Sequence, residues 1–235
     1  MYVISEHDVA YEDNHLVAIN KLGGHIVQAD ETRDTTLGEM VKLFLKEKYN
    51  KPFDVFLGVI HRLDRPVSGL VLFAKTSKGL DRMNNLFRKR EVDKYYIAIV
   101  RTPPPKKQDT LIHYLRRDRK RRVTMVYDKE IENTQYSELH YEVLGEVEGY
   151  YALKIQLVTG RTHQIRAQLG HIGSPIVGDN KYGYPRGGRR RTISLHARSL
   201  YFIHPVKREP INILADFPSD GFWDKFEDLM REHSS

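Results

Sequence analysis

Cysteine is absent from the chain, which excludes disulfides and cysteine-ligated metals and is compatible with the cytoplasm, the expected compartment. No apolar run approaches the length of a membrane-spanning helix. The N-terminus, MYVISEHDVAYEDNH, has no basic stretch leading into an apolar one, so no secretory leader is expected. The sequence also lacks a Walker loop, G-x-G-x-x-G, G-x-S-x-G and H-E-x-x-H, which leaves phosphate-loop, dinucleotide, elbow-serine and zinc-protease chemistry without support. Of the 11 histidines, none stands at ligand spacing with an acidic cluster. They read as hydrogen-bonding core residues, and no metal site is expected. Without a sustained heptad or a long exposed apolar stripe, a monomer is expected.

What is present is an ordinary globular composition: 235 residues, 40% hydrophobic and 29% charged, enough to bury a core. The net charge is +7, and its placement matters more than its size. From Arg101 to Arg122 nine basic residues face only Asp109 and Asp118. Among them Arg116, Arg117, Arg119, Lys120, Arg121 and Arg122 nearly touch in sequence. A second cluster, Arg186, Arg189, Arg190 and Arg191, stands beside glycines. Such clusters attract polyanions through counterion release, although a solvated surface has the same composition.

Strand-like and helix-like segments mix without regular βαβ alternation, which argues for α+β. LVAI (16–19) and the apolar run Leu70–Ala74 read as strands. Thr36 and Glu39 form a capping box for a helix from Leu37 to Tyr49, and Ser77 is a candidate cap for a second helix. Residues 137–144 and 151–158 alternate as strands, with Tyr151, Leu153, Ile155 and Leu157 on one face. A short helix is expected after Thr162, stopping near Gly170 or Gly173. Ser219 is a candidate cap for a last helix carrying Phe222, Trp223, Phe226, Leu229 and Met230 as core. The chain reads as a single domain, 1–235, with a possible subdomain break at the proline-rich stretch near 101–109.

Three segments are more polar than a core requires. In HRLDRPVSGLVLFAKT (61–76) a histidine, an arginine and Asp64 crowd together before a buried strand, where rigid structure can hold a reacting group. Taken alone, Asp64 is as well explained by an Asx-turn. In TGRTHQIRAQLGHIGSPIVGDNKYG (159–183) His163 and Arg166 sit three apart at the start of a helix, able to share a face. LHARSLYFIHPV (195–206) places His196 and His204 around an alternating stretch.

These segments resemble the RluA family of RNA pseudouridine synthases, whose H-R-L-D signature continues into S-G, an apolar run and A-K. YEDNHLVAINKLGG (11–24), KYYIAIV (94–100), the 159–183 segment and LHARSLYFIHPV resemble further family motifs in the same order. Val67 stands where the family often has threonine, and Leu22 where it often has proline. The resemblance implies the pseudouridine synthase fold: a largely antiparallel mixed β-sheet flanked by helices and loops around a central RNA-binding cleft. It implies Asp64 as the essential carboxylate, Tyr96 as the ring that stacks on the target uracil, and Arg166 as the arginine paired with the aspartate. It also implies that Arg62 holds RNA once the uridine has turned out. The matching pattern begins within about a dozen residues of Met1, which reads as a stand-alone catalytic domain with no small RNA-binding domain in front.

The implied partner is structured RNA, transfer or ribosomal, and the implied activity an isomerase reaction that needs no cofactor and no metal. A carboxylate suffices, as nucleophile or as base, on a uridine flipped from its stack. His163 and the basic residues 116, 117, 119–122 and 189–191 are the candidate contacts to RNA. Two rivals remain: a binder on the same fold that has lost catalysis, and a hydrolase releasing free base, for which no second acid stands beside Asp64.

Overall fold

The computed structural model describes residues 2–29, 31, 33–185 and 192–233. In chain order the first elements are β1 (Val9–Glu12), β2 (Leu16–Lys21), α1 (Leu37–Lys48), β3 (Gly58–Val59), β4 (Ser68–Ala74) and α2 (Ser77–Lys89). Then come β5 (Val92–Val100), β6 (Gln108–Asp118), β7 (Val123–Tyr127), β8 (Gln135–Val147) and β9 (Tyr150–Leu157). The last are α3 (Gln164–His171), β10 (Leu195–Ile203), β11 (Pro210–Leu214) and α4 (Glu227–Glu232). The mixture is α+β, as composition and pattern indicate. No helix among the described residues is long and apolar enough to cross a membrane.

The chain divides into two compact units: Met1–Val92 with Arg198–Asp216, and Asp93–Ala197 with Phe217–Ser235. In the first, β4 lies antiparallel to β2, with Leu16 opposite Ala74 and Lys21 opposite Gly69. All seven residues of β4 are buried, which is why its sequence is a continuous apolar run rather than an alternation. Gly69 has φ 107°, a conformation that costs a residue with a Cβ, so the S-G step entering the strand calls for glycine. Leu16, Ala18, Leu70 and Leu72 pack with Met83 of α2 and with Leu200, Phe202 and Ile213 of β10 and β11. Each of these side chains larger than alanine, fully buried, contributes roughly 1.5–3 kcal/mol. The capping box of α1 forms: Thr36 Oγ1 accepts from the Glu39 amide, and Glu39 accepts from the Thr36 amide. Helix α2 is capped by Thr76, whose hydroxyl accepts from the Gly79 amide, rather than by Ser77. An N-cap must keep extended backbone while reaching the third helical amide. Thr76 does so, and Ser77 is already the first helical residue.

In the second unit the strands run in the order β5-β9-β8-β6-β7, every neighbour antiparallel. The proline-rich stretch forms the connection from β5 to β6 and lies inside this unit. Ile97, Ile99 and Ala152 pack against Trp223, Phe226 and Met230, so the terminal aromatic stripe is core. Its helix differs from the expectation. A 3-10 turn at Trp223–Phe226 precedes the short α4; its N-cap is Phe222, without a side-chain cap bond, and Asp220, not Ser219, accepts from the amides of Phe222 and Trp223 at 3.0 Å just before it. Helix α3 runs through Gly170 to His171. A Cβ on Gly170 would stand 2.5 Å from the Tyr182 carbonyl oxygen. The helix thus stops where expected, one residue past Gly170 and with Gly173 at φ 82° just beyond its C-cap Ile172, and Gly170 marks in addition a close approach of backbones.

Candidate active site

In the first unit, Asp64 stands in the connection between β3 and β4, half-buried, with Leu63 buried beside it and Arg62 exposed. The Val67 amide donates to the Asp64 carbonyl at 3.1 Å, closing a tight turn through Arg65 and Pro66. Both flanks are tied down. Upstream, His61 Nε2 accepts from the Leu72 amide of β4 at 3.0 Å, and its ring stacks on Phe87 of α2 with centroids 5.1 Å apart. Downstream, Arg65 and Gly24 exchange two bonds, Gly24 N–H to Arg65 O at 2.7 Å and Arg65 Nε–H to Gly24 O at 3.0 Å. The Arg65 guanidinium also pairs with Asp34.

The deepest tie is Lys21, the last residue of β2 and only 1% exposed. Its ammonium donates to the carbonyls of Leu22, His25 and Arg65 at 3.0, 3.0 and 3.2 Å, and so uses all three of its N–H groups. Burial pushes the Lys21 pKa down to about 7; the Asp64 carboxylate partly offsets this and Arg65 adds to it. Lysine is almost never buried without such partners. Sequence reading passed over Lys21 as one residue of a family segment. The available signal was a lysine closing the strand LVAINK, after the apolar run LVAI, directly before L-G-G.

In the second unit, Tyr96 lies on β5 opposite Ile155 and is buried, while its neighbour Tyr95 is half-buried. Arg166 sits on α3, 5% exposed, and grips Asp179 bidentately: Nε to Oδ2 at 2.7 Å and Nη2 to Oδ1 at 2.9 Å. Asp179 is itself 1% exposed, and the fork geometry matches what guanidinium and carboxylate do best. The Arg166 guanidinium also lies over the Tyr182 ring, 5.2 Å from its centroid. Asp179 and Tyr182 both come from G-D-N-K-Y-G, a stretch matched as family motif but assigned no role from the sequence. His163 does meet the same tyrosine as Arg166: its Nδ1 is 2.6 Å from the Tyr182 hydroxyl. It achieves this as the residue before α3, with φ 55°, in the left-handed region that histidine visits more readily than most residues.

Arg116, Arg117, Arg119, Lys120, Arg121 and Arg122 are all exposed. They occupy the end of β6 and the tip of the β6–β7 hairpin. The hairpin is docked on the segment leading into α3: the Thr124 amide donates to the Tyr182 hydroxyl and the Thr124 hydroxyl to the Thr162 carbonyl, both at 2.8 Å. Arg117 approaches His163 Nδ1 at 3.3 Å, and Arg116 lies over Tyr127 at 5.1 Å. One basic cluster and the Arg166 helix are thereby joined in a single unit. Arg186, Arg189, Arg190 and Arg191 lie outside the described residues.

The closing histidines serve structure. His196, fully buried, packs against Phe217 and Trp223 with ring centroids 5.1 and 5.8 Å away. His204 Nδ1 accepts from the amides of Val206 and Lys207 at 3.2 and 2.9 Å, and its Nε2 lies 3.0 Å from Asp13. Burial holds the His204 pKa below the ordinary histidine value, against the pull of Asp13. This contact joins the E-D segment near the N-terminus to the H-P segment that closes the motif series.

The profile of the family described as RNA pseudouridylate synthase matches residues 15–171. The chain is 35% identical over 234 residues to tRNA pseudouridine synthase C of Haemophilus ducreyi, covering 89% of this chain and 90% of that protein. It is 31% identical over 227 residues to ribosomal large subunit pseudouridine synthase D of Xylella fastidiosa, covering 91% of this chain but 66% of that one. The chain thus spans about two thirds of the length of that relative. Among solved structures, human RNA pseudouridylate synthase domain containing 4 superposes with a TM-score of 0.77 over 94% of this chain and 92% of that one. At 23% identity, that likeness speaks to the fold.

Proposed function

The chain belongs to the RluA-type RNA pseudouridylate synthase family, and on that premise we propose that it is an isomerase converting chosen uridines of transfer or ribosomal RNA to pseudouridine. The observation that carries the reading is Asp64: a carboxylate in a loop fixed by His61 on one side and by Arg65 and Lys21 on the other. A reacting group held this way loses little freedom on reaching the transition state. The reaction breaks the bond from C1′ to uracil N1 and joins C1′ to C5. N1 takes up a proton, and the C5 hydrogen leaves to solvent. Asp64 supplies the carboxylate, as nucleophile or as base at the sugar. Tyr96 offers its ring to the flipped uracil, and Arg166 is the arginine assigned to the essential carboxylate. Arg62, His163 and the basic residues 116, 117, 119–122 and 189–191 hold phosphates and set affinity more than sequence choice.

The test is tritium release from RNA labelled at uracil C5, with wild type and Asp64→Asn side by side on unmodified transfer and ribosomal RNA. Release that requires Asp64, with no free uracil formed, is the expected result. Free uracil would make the protein a hydrolase. Binding of these RNAs without any release would make it a binder on the same fold.

A further inference from the structure

Three side chains distant in sequence converge in the second unit: His113 on β6, Asp128 just past β7, and His171 at the last position of α3. Asp128 Oδ1 lies 2.9 Å from His171 Nε2 and 3.8 Å from His113 Nε2. All three ligand atoms fall within 4.8 Å of one another, and the two imidazoles meet edge to face with centroids 5.0 Å apart. We propose that His113, Asp128 and His171 form a binding site for a divalent transition-metal ion of the zinc type. Bonds of about 2.0–2.2 Å to imidazole nitrogen and carboxylate oxygen, arranged tetrahedrally, put neighbouring ligand atoms roughly 3.3–3.5 Å apart. The observed 2.9 and 3.8 Å bracket that spacing, so small side-chain rotations complete the set. Two nitrogens and one oxygen suit zinc and its borderline neighbours rather than magnesium or calcium. Asp128 and His171 are exposed while His113 is buried, so an ion can enter from solvent.

A second observation concerns the next layer. Gln168 of α3 is fully buried. Its amide nitrogen serves both the Leu111 carbonyl at 3.1 Å and His113 Nδ1 at 2.9 Å, while its Oε1 has no partner. An imidazole that binds metal through Nε2 carries its proton on Nδ1 and needs an acceptor there. Turning the Gln168 amide over places Oε1 against that proton, giving a buried orphaned atom its partner. The amide nitrogen then leaves the Leu111 carbonyl, so the ion and this rearrangement are coupled. The bound ion would tie β6, the end of β7 and the C-terminal end of α3 together, below the basic hairpin tip and on the same helix as Arg166. Its remaining coordination is water, and it takes no part in the isomerisation.

The test uses the full chain stripped with a chelator and titrated calorimetrically with zinc chloride, alongside Asp128→Asn and His171→Ala. Wild type should take up one equivalent, with a rise in thermal midpoint. Either variant should weaken binding by about 100-fold or more, since even second-layer partners of a metal are worth 10–100-fold. The ¹⁵N resonances of the His113 and His171 Nε2 atoms should move on saturation. No stoichiometric uptake, or uptake equal in wild type and both variants, overturns the proposal. None of these three readouts depends on RNA or on activity.

Discussion

Raising the pH from 7 to 9 is expected to stabilise the protein, and replacing Lys21 by methionine should remove that gain. Lys21 is 1% exposed and its pKa lies at about 7, against 10.5 for the same group in an open chain. Below pH 7 both folded and unfolded chains hold the proton, and stability does not change on this account. Between 7 and 10.5 the unfolded chain still binds a proton that the folded one has released, so stability rises with pH by up to about 1.4 kcal/mol per unit. From pH 7 to 9 the gain comes to about 2 kcal/mol. Tyr11, Tyr141 and Tyr182 have raised pKa values, chiefly through burial. They act in the opposite sense only near and above pH 10, which closes the useful window at 9. Lys21→Met cannot titrate, and its difference from wild type isolates the lysine. Urea unfolding of both proteins at pH 6, 7, 8 and 9 reads the effect as a midpoint that climbs for wild type alone. Two parallel curves from pH 7 to 9 would refute the reasoning and return Lys21 to an ordinary charged state.

Asp179→Asn removes the carboxylate from a buried bidentate pair with Arg166. A loss of about 3–5 kcal/mol in unfolding free energy is expected, and an unshifted urea midpoint contradicts it. Tyr96→Phe should keep most activity because the ring remains. Tyr96→Leu should lower kcat/KM by the ~1–3 kcal/mol that stacking supplies, and equal losses in the two variants remove the stacking role. Changing Arg119, Lys120 and Arg121 together to glutamine should reduce the slope of log K against log salt for RNA binding by about 2–3. An unchanged slope takes the hairpin tip off the binding surface. If Arg166 acts on Asp64, the losses from Asp64→Asn and Arg166→Lys will not add in a double-mutant cycle of tritium release.

Much of the local structure could be read from residue order, because local rules depend on neighbours in the chain. The Thr36–Glu39 capping box and the buried run Leu70–Ala74 appear as read, and of the face Tyr151, Leu153, Ile155 and Leu157 all but Tyr151 are buried. Misplaced details were decided by contacts that sequence does not display. The helix cap moved to Thr76 because backbone conformation, not hydroxyl identity, decides which residue lies outside the helix. The helix stops beside Gly170 as read, but the contact of that glycine with the Tyr182 backbone does not show in residue order.

Residue order by itself determined that this is an α+β chain with a concentrated basic segment and, through its ordered motifs, a member of this family. Those properties rest on periodicity and on residues adjacent in the chain. Only the tertiary structure decided what surrounds each polar group. It buried Lys21 under three carbonyls beside the Asp64 loop, gave Arg166 the carboxylate of Asp179, tied Asp13 to His204, and drew His113, Asp128 and His171 together. A buried charge takes whichever partner the fold brings within hydrogen-bond reach, and strand register and helix docking choose that partner without regard to distance along the chain.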